Sequence, residues 1–208
     1  MTETAVREPW PNLAMQREGV SLGMWIFLGS EALFFAGLFA SYAVYRSFNQ
    51  EAFAIASAHT QVLYGSINTA LLLTSSFTIT IALRAAGAEL RSLTLLCLAA
   101  TAALGLAFLA CKGLEYREDI KEQLFPGPSF PLLPPATRIF WGLYWVTTVV
   151  HAIHLSVGIG AVLVILVAFQ KRLIPPQGAT MEGVALYWHF VDCIWIVLFP
   201  LLYLGGRS

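Results

Sequence analysis

Apolar residues fill five long stretches of the chain, roughly 19–46, 61–86, 91–115, 138–170 and 183–205. Each exceeds the ~20 helical residues needed to cross about 30 Å of hydrocarbon. The pattern predicts an all-α integral membrane protein, a bundle of five transmembrane helices over residues 19–208 preceded by a polar tail at 1–18. The tail carries Arg7, Pro9, Pro11 and Arg17. The apolar run behind it is too long for a signal-peptide core and is expected to stay in the protein.

Polar punctuation separates the runs. Arg46 to Gln61, Ala85 to Arg91, and Lys171 to Glu182 with its Pro175-Pro176 pair read as turns. The connection from Tyr116 to Arg138 is longer. It opens on Arg117, Glu118, Asp119, Lys121 and Glu122 and continues as PGPSFPLLPP, which predicts a charged helix end and then an extended segment over the membrane surface.

Composition agrees with a bilayer. A chain that is 58% hydrophobic and 12% charged, with a mean hydropathy of +0.71, has too little polar surface to cover a soluble domain. Twelve basic residues balance twelve acidic ones, so no basic face is available for nucleic acid. Charge does not orient the bundle. With the N-terminus inside, Arg7, Arg17, Arg84, Arg91, Lys171 and Arg172 face Arg46, Lys112, Arg117, Lys121, Arg138 and Arg207, six against six. Cys97, Cys111 and Cys193 stand singly in apolar runs and read as small buried hydrophobes. Small residues four apart, Ala32, Ala36 and Ala40, Gly37 with Ser41, and Ser156 with Gly160, mark places where helix backbones could approach closely.

Ionisable groups inside the runs are the informative ones, because each costs ~2.5–3.5 kcal/mol or more at mid-membrane. Glu31 lies in the middle of the first span. It is either a protonatable carboxyl facing the bundle or a lipid headgroup, or a hydrogen-bond partner joining two helices. Desolvation favours its neutral form unless a cation lies beside it, and a protonated His151 or His154 on the fourth span could reach it. These two histidines are one turn apart. They invite a metal or haem reading, but a catalytic metal normally takes a third protein ligand and axial haem ligands come from different helices. With only four histidines in the chain, hydrogen bonds across helices or to lipid are the expected role. On the fifth span His189 and Asp192 share a face and are expected to clasp each other. Thr69, Thr74, Ser75, Ser76, Thr78 and Thr80, near Asn68, can bond back to their own helix.

Five segments in order resemble subunit III of haem–copper oxidases, and the likeness covers nearly all of residues 19–206. GSEALFFAGLFASY resembles the family's glutamate-bearing helix, with Glu31 at the glutamate position. SINTALLLTSSFT resembles its asparagine–threonine helix, with Asn68; GLAFLACKGLEYRED resembles the segment ending in Glu-Tyr, here Glu115 and Tyr116. WVTTVVHAIHLSVG is similar to the two-histidine helix, and YWHFVDCIW, with Trp188, to the closing helix. Mitochondrial-type members have seven helices. This chain matches the last five, a form that resembles bacterial third subunits, the short subunits of quinol oxidases and the subunit-III-like proteins near nitric-oxide reductases.

The resemblance implies a non-catalytic subunit of a proton-pumping terminal oxidase that reduces oxygen to water. It implies no cofactor on this chain, haem and copper in partner subunits, direct packing on subunit I with subunit II in the same complex, and phospholipid in a cleft between helices. Sustained proton uptake and durability under turnover are the implied roles. The implied location is a bacterial inner membrane with a cytoplasmic N-terminus and a periplasmic C-terminus. Alternatives are a subunit-III-like protein associated with nitric-oxide reductase and a free-standing transporter using Glu31, Asp192 and the histidines as a relay. Against the transporter, no internal repeat is visible and no proline interrupts a span before Pro200.

The isolated chain is therefore expected to show no haem absorption and no stoichiometric transition metal. Tight haem or copper in a purified, partner-free sample, by optical spectroscopy or elemental analysis, would overturn the accessory reading.

Overall fold

A computed structural model describes residues 12–128, 130–173 and 179–206. Five of its helices are long and apolar enough to span a membrane, and no strand occurs among the described residues.

Helix α1 spans Leu13–Phe48. The Asn12 side chain caps it by accepting the Met15 N–H at 2.9 Å, so helix starts inside the stretch expected to be tail. Residues 1–11 of that expectation lie outside the described residues. Asn49 ends α1 and starts a short helix, α2 (Gln50–Ala58), where the sequence predicts only a turn. Nine residues cannot register as a membrane run. They nevertheless bury Ala52, Phe53 and Ala56 on one face, with Phe53 edge-on to Phe140 and Tyr42 at 5.5 and 5.3 Å.

Helices α3 (Val62–Gly87) and α4 (Arg91–Lys121) form the most extensively packed pair. Helix α4 continues well past residue 115, through the charged stretch assigned to the long connection. Its buried positions are Thr94, Cys97, Leu98, Thr101, Ala102, Gly105, Phe108, Lys112, Glu115 and Asp119, one uninterrupted helical face whose last turns happen to be ionic. Helix α5 spans Thr137–Gln170 and α6 Ala179–Phe199; the Pro175-Pro176 turn lies outside the described residues. Beyond α6 the chain widens into a π-helical turn, Pro200–Leu204. Pro200 has no N–H for the preceding turn, which releases the helix from its regular spacing.

Helices α3, α4 and α5 each end in the same way. Glu89, Gln123 and Arg172 adopt left-handed φ of 60°, 59° and 57°, and the following N–H of Leu90, Leu124 and Leu173 returns to Ala85, Asp119 and Ala168 C=O at 2.9 Å. That is the helix-ending turn glycine usually supplies, made here by polar residues at the membrane surface.

Helices α3 to α6 make the core, α1 lies outside it against α5 and α6, and α2 packs on α5. Trp141, Trp188, Trp195, Tyr144, Tyr203 and Phe108 fill the centre. Glycine admits them: a Cβ on Gly105 would stand 2.8 Å from Trp188 Cη2 and 2.9 Å from Ile159 Cγ1, and one on Gly65 would meet Phe199 and Tyr203. The small residues expected at helix contacts are elsewhere. Ala32, Ala36, Gly37 and Ala40 of α1 and Ser156 and Gly160 of α5 are exposed on the outer surface of the chain. Cys97 is buried as expected, whereas Cys193 is exposed.

Gly105→Val is expected to destabilise the bundle by about 1–3 kcal/mol through overpacking. Gly160→Val, with nothing within 4 Å of its Cβ, should leave thermal unfolding in detergent unchanged.

Candidate functional site

Glu31 and His154 meet. The Glu31 Oε2 lies 2.9 Å from His154 Nε2, joining α1 to α5 at mid-membrane. His154 Nδ1 is 2.8 Å from the Val150 carbonyl, which can only accept, so Nδ1 carries a hydrogen. Two arrangements remain for the other side of the ring: the acid donates to Nε2, or an imidazolium donates to the carboxylate. Either way the pair holds one proton between its two facing atoms. Tyr187 O–H donates to the His154 carbonyl at 3.0 Å, and Phe35 sits edge-on to the ring at 5.2 Å. The side chains keep 24% (Glu31) and 18% (His154) of their exposure, so the pair is at the margin of the bundle, not in its centre.

His151 does not join them. It is fully buried between Phe108 at 5.6 Å and Trp195 at 5.2 Å, and neither ring nitrogen has a partner. Three residues turn the helix through roughly 300°, an offset of about 60° between the two side chains, enough to send His154 to the α1 side and His151 into the core. Asn68 on α3 is likewise fully buried with both amide atoms unpartnered.

The expected clasp between His189 and Asp192 does not form. His189 turns to α3, with Nδ1 2.6 Å from Ser76 Oγ and Nε2 3.3 Å from Thr80 Oγ1. Asp192 is buried and neither carboxyl oxygen has a hydrogen-bond partner. Trp188 Nε1 donates to Ser75 Oγ at 3.0 Å and Trp195 Nε1 to Thr69 Oγ1 at 3.1 Å. The hydroxyls of α3 do bond back to their own helix, as Thr69 to Gly65, Thr74 to Ala70 and Ser75 to Leu72. Thr69, Ser75, Ser76 and Thr80 also seam α3 to α6.

The largest ionic cluster has Lys112 at its centre, which the charge count treats as a surface cation at the end of a span. Lys112, Glu115 and Asp119 are 2%, 0% and 1% exposed. Lys112 Nζ is 3.0 Å from Glu115 Oε2, and donates to Tyr144 O at 3.0 Å and Tyr203 O at 2.6 Å. Tyr203 O–H donates to Glu115 Oε1 at 2.6 Å. The Tyr144 oxygen lies 2.7 Å from Glu115 Oε1 and 2.9 Å from Asp119 Oδ2. Aromatic faces complete the enclosure, with Nζ 4.7 and 4.9 Å from the ring centres of Tyr144 and Tyr116. Tyr116 O–H donates to Thr148 Oγ1 at 2.9 Å. Glu115 and Tyr116 are legible in sequence as a motif. Their partners were findable too, since 112, 115 and 119 continue the spacing of the apolar face of α4.

Among the described residues no three His, Cys, Asp or Glu side chains converge on a point that could hold a metal. What the polar groups can do is hold and share protons, and tie helices.

The comparisons with known proteins agree with this architecture. A family model described as cytochrome c oxidase subunit III matches residues 10–207. Quinol oxidase subunit 3 of Bacillus spizizenii is 33% identical over 89% of this chain and 86% of its own length. Cytochrome c oxidase subunit 3 of Bacillus sp. (strain PS3) is 30% identical over 98% and 94%, and that of Thermostichus vulcanus 33% over 89% and 87%. Five membrane helices, an ordered set of polar positions within them and a family match across almost the whole chain lead to one conclusion: the chain belongs to the subunit III family of haem–copper terminal oxidases.

Proposed function

We propose that the chain works as the cofactor-free third subunit of its oxidase, packed directly on subunit I in a complex that includes subunit II. The haem and copper belong to those partners. Phospholipid lies against α1 and α5, and the Glu31–His154 pair sustains proton uptake and durability under turnover. The supporting observation is the pair itself, a one-proton contact at mid-membrane whose side chains are still partly exposed on the outer, loosely packed side of the bundle. A buried structural clasp would have no reason to sit there, whereas a site that exchanges protons or meets a lipid does. The paired geometry narrows the lipid's share: the carboxyl and ring satisfy each other, so acyl chains rather than a headgroup would cover them.

Two grooves on the described surface offer further room. One of about 450 Å³ runs along α5 between Tyr116 and Val157, and one of about 520 Å³ lies between Arg46, Gln50 and Gly205. Neither includes Glu31 or His154. The bacterial relatives support a bacterial plasma membrane, and the family resemblance an N-terminus on the cytoplasmic side.

Affinity purification of the chain under mild detergent should bring a haem-containing partner at equal stoichiometry. Purification alone, with lipid but no haem protein, would return the transporter reading. The donor, cytochrome c or quinol, would follow from the partner's subunit II.

In the assembled oxidase, Glu31→Gln is expected to leave haem content and initial oxygen reduction at parental levels, because its amide can still donate to His154 Nε2 while losing the titratable acid proton. Activity should then decay faster during sustained turnover. An apolar carbodiimide should label Glu31 in the parent. Immediate loss of oxygen reduction in fully assembled Glu31→Gln oxidase would place the residue in the catalytic path.

A further inference from the structure

A second proton site, independent of the Glu31–His154 pair, follows from counting hydrogens in the buried cluster. A charged Lys112 has three N–H groups and three neighbours, Glu115 Oε2, Tyr144 O and Tyr203 O. Tyr203 has one O–H and uses it on Glu115 Oε1. Tyr144 also has one, but its oxygen stands within hydrogen-bond distance of two carboxyls, Glu115 Oε1 at 2.7 Å and Asp119 Oδ2 at 2.9 Å. A single hydrogen cannot fill both gaps. If both carboxyls were ionised, one of these oxygen pairs would face each other bare in a site closed to water. One carboxyl therefore brings its own hydrogen. Glu115 has the Lys112 charge beside Oε2 and the Tyr203 O–H on Oε1, the setting of an ion, whereas Asp119 has no ion pair with Lys112 or with any other cation among the described residues.

We propose that Asp119 is a proton-binding site, a neutral carboxylic acid whose Oδ2–H donates to Tyr144 O while Tyr144 donates to Glu115. The ligand is a single proton. Its uptake balances the cluster at one cation and one anion; its release breaks the Asp119 O–H bond and passes the proton outward along α4. Glu118, which accepts from Tyr64 at 3.0 Å, and the exposed Glu122 lie at that end of the helix. The groups facing Asp119 among the described residues are Lys112 and Glu115 from α4, Glu122 just beyond its end, Tyr144 from α5 and, through Glu115, Tyr203 from the π-helical turn. Release leaves two carboxylates against one ammonium and a Tyr144 hydrogen that can satisfy only one of them. The contact joining α4, α5 and the C-terminal turn must then rearrange. The site couples the protonation of one membrane face to how the last turn of the chain is held.

The test is infrared difference spectroscopy of the assembled oxidase between neutral and alkaline pH, reading the carboxylic-acid carbonyl stretch. The parent-minus-Asp119→Asn double difference is expected to contain one acid band that disappears at alkaline pH and shifts in heavy water. Asp119→Glu should restore a band at a shifted frequency, while Glu31→Gln and Asp192→Asn should leave the original in place. A double difference with no acid band would overturn the proposal, as would a band lost equally in Asp192→Asn. If Asp119→Asn does not assemble, Tyr144→Phe decides. Without the phenol oxygen as acceptor the acid band must move to higher frequency, and an unchanged spectrum means that Asp119 carries no proton on that atom.

Discussion

Hydrocarbon provides no hydrogen-bond partner, so a polar group carried into the bilayer is stabilised by finding one within the protein, and only a few here, Asn68, His151 and Asp192 among them, are buried without one. The backbone meets this requirement by being helical across each span. Serine and threonine meet it locally, by returning their hydroxyls to carbonyls one turn back, which leaves the hydroxyl oxygen free to accept from a neighbouring helix. Trp188 at Ser75, Trp195 at Thr69 and His189 at Thr80 use that second capacity, so the hydroxyl-rich face of α3 becomes the seam against α6. The ionisable groups cannot be satisfied locally. They set which helices must touch, and where.

Two ionic centres answer this constraint in different ways. The cluster around Lys112 is sealed by tryptophan and tyrosine; Lys112 has three polar neighbours, Glu115 an ion pair and two phenols, and Asp119 the Tyr144 phenol. Removing one partner from such a buried set costs about 3–5 kcal/mol because the others are left uncompensated. It sits where α4, α5 and the C-terminal turn meet, so the same groups that are most costly to bury hold the bundle closed at that end. The Glu31–His154 pair is smaller and partly exposed, and joins α1, the long helix outside the four-helix core among the described residues, to α5. Its geometry requires a proton but not a particular owner of that proton. That ambiguity suits a group that passes protons, whereas the sealed cluster suits one that stores them.

Subunit III membership places this bundle in a complex with other oxidase subunits. No group of ligands converges on a metal among the described residues, and three of the four histidines, His151, His154 and His189, are engaged in helix contacts or aromatic packing. The outward-facing small residues of α1 and α5 add to this picture. They are not needed for the contacts seen inside the chain, where close approach relies instead on Gly65, Gly105 and Gly158.

The sequence by itself determined the five spans, because length and hydropathy decide whether a helix can cross hydrocarbon irrespective of its neighbours. Five ordered motifs also made the family legible, and mid-membrane rarity picked out Glu31, His154, His189 and Asp192 as polar positions in need of partners. Partner choice was decided only by the tertiary structure. Helix spacing put His151 with His154 and His189 with Asp192, yet rotation about the axis and the approach of α1 and α3 assigned each to a different neighbour. Lys112 was misplaced for a related reason. A charge near the end of an apolar run is equally compatible with water and with a buried counter-charge, and which one holds depends on whether Glu115, Tyr144 and Tyr203, 3, 32 and 91 residues away, arrive at the same point. Only folding brings them there.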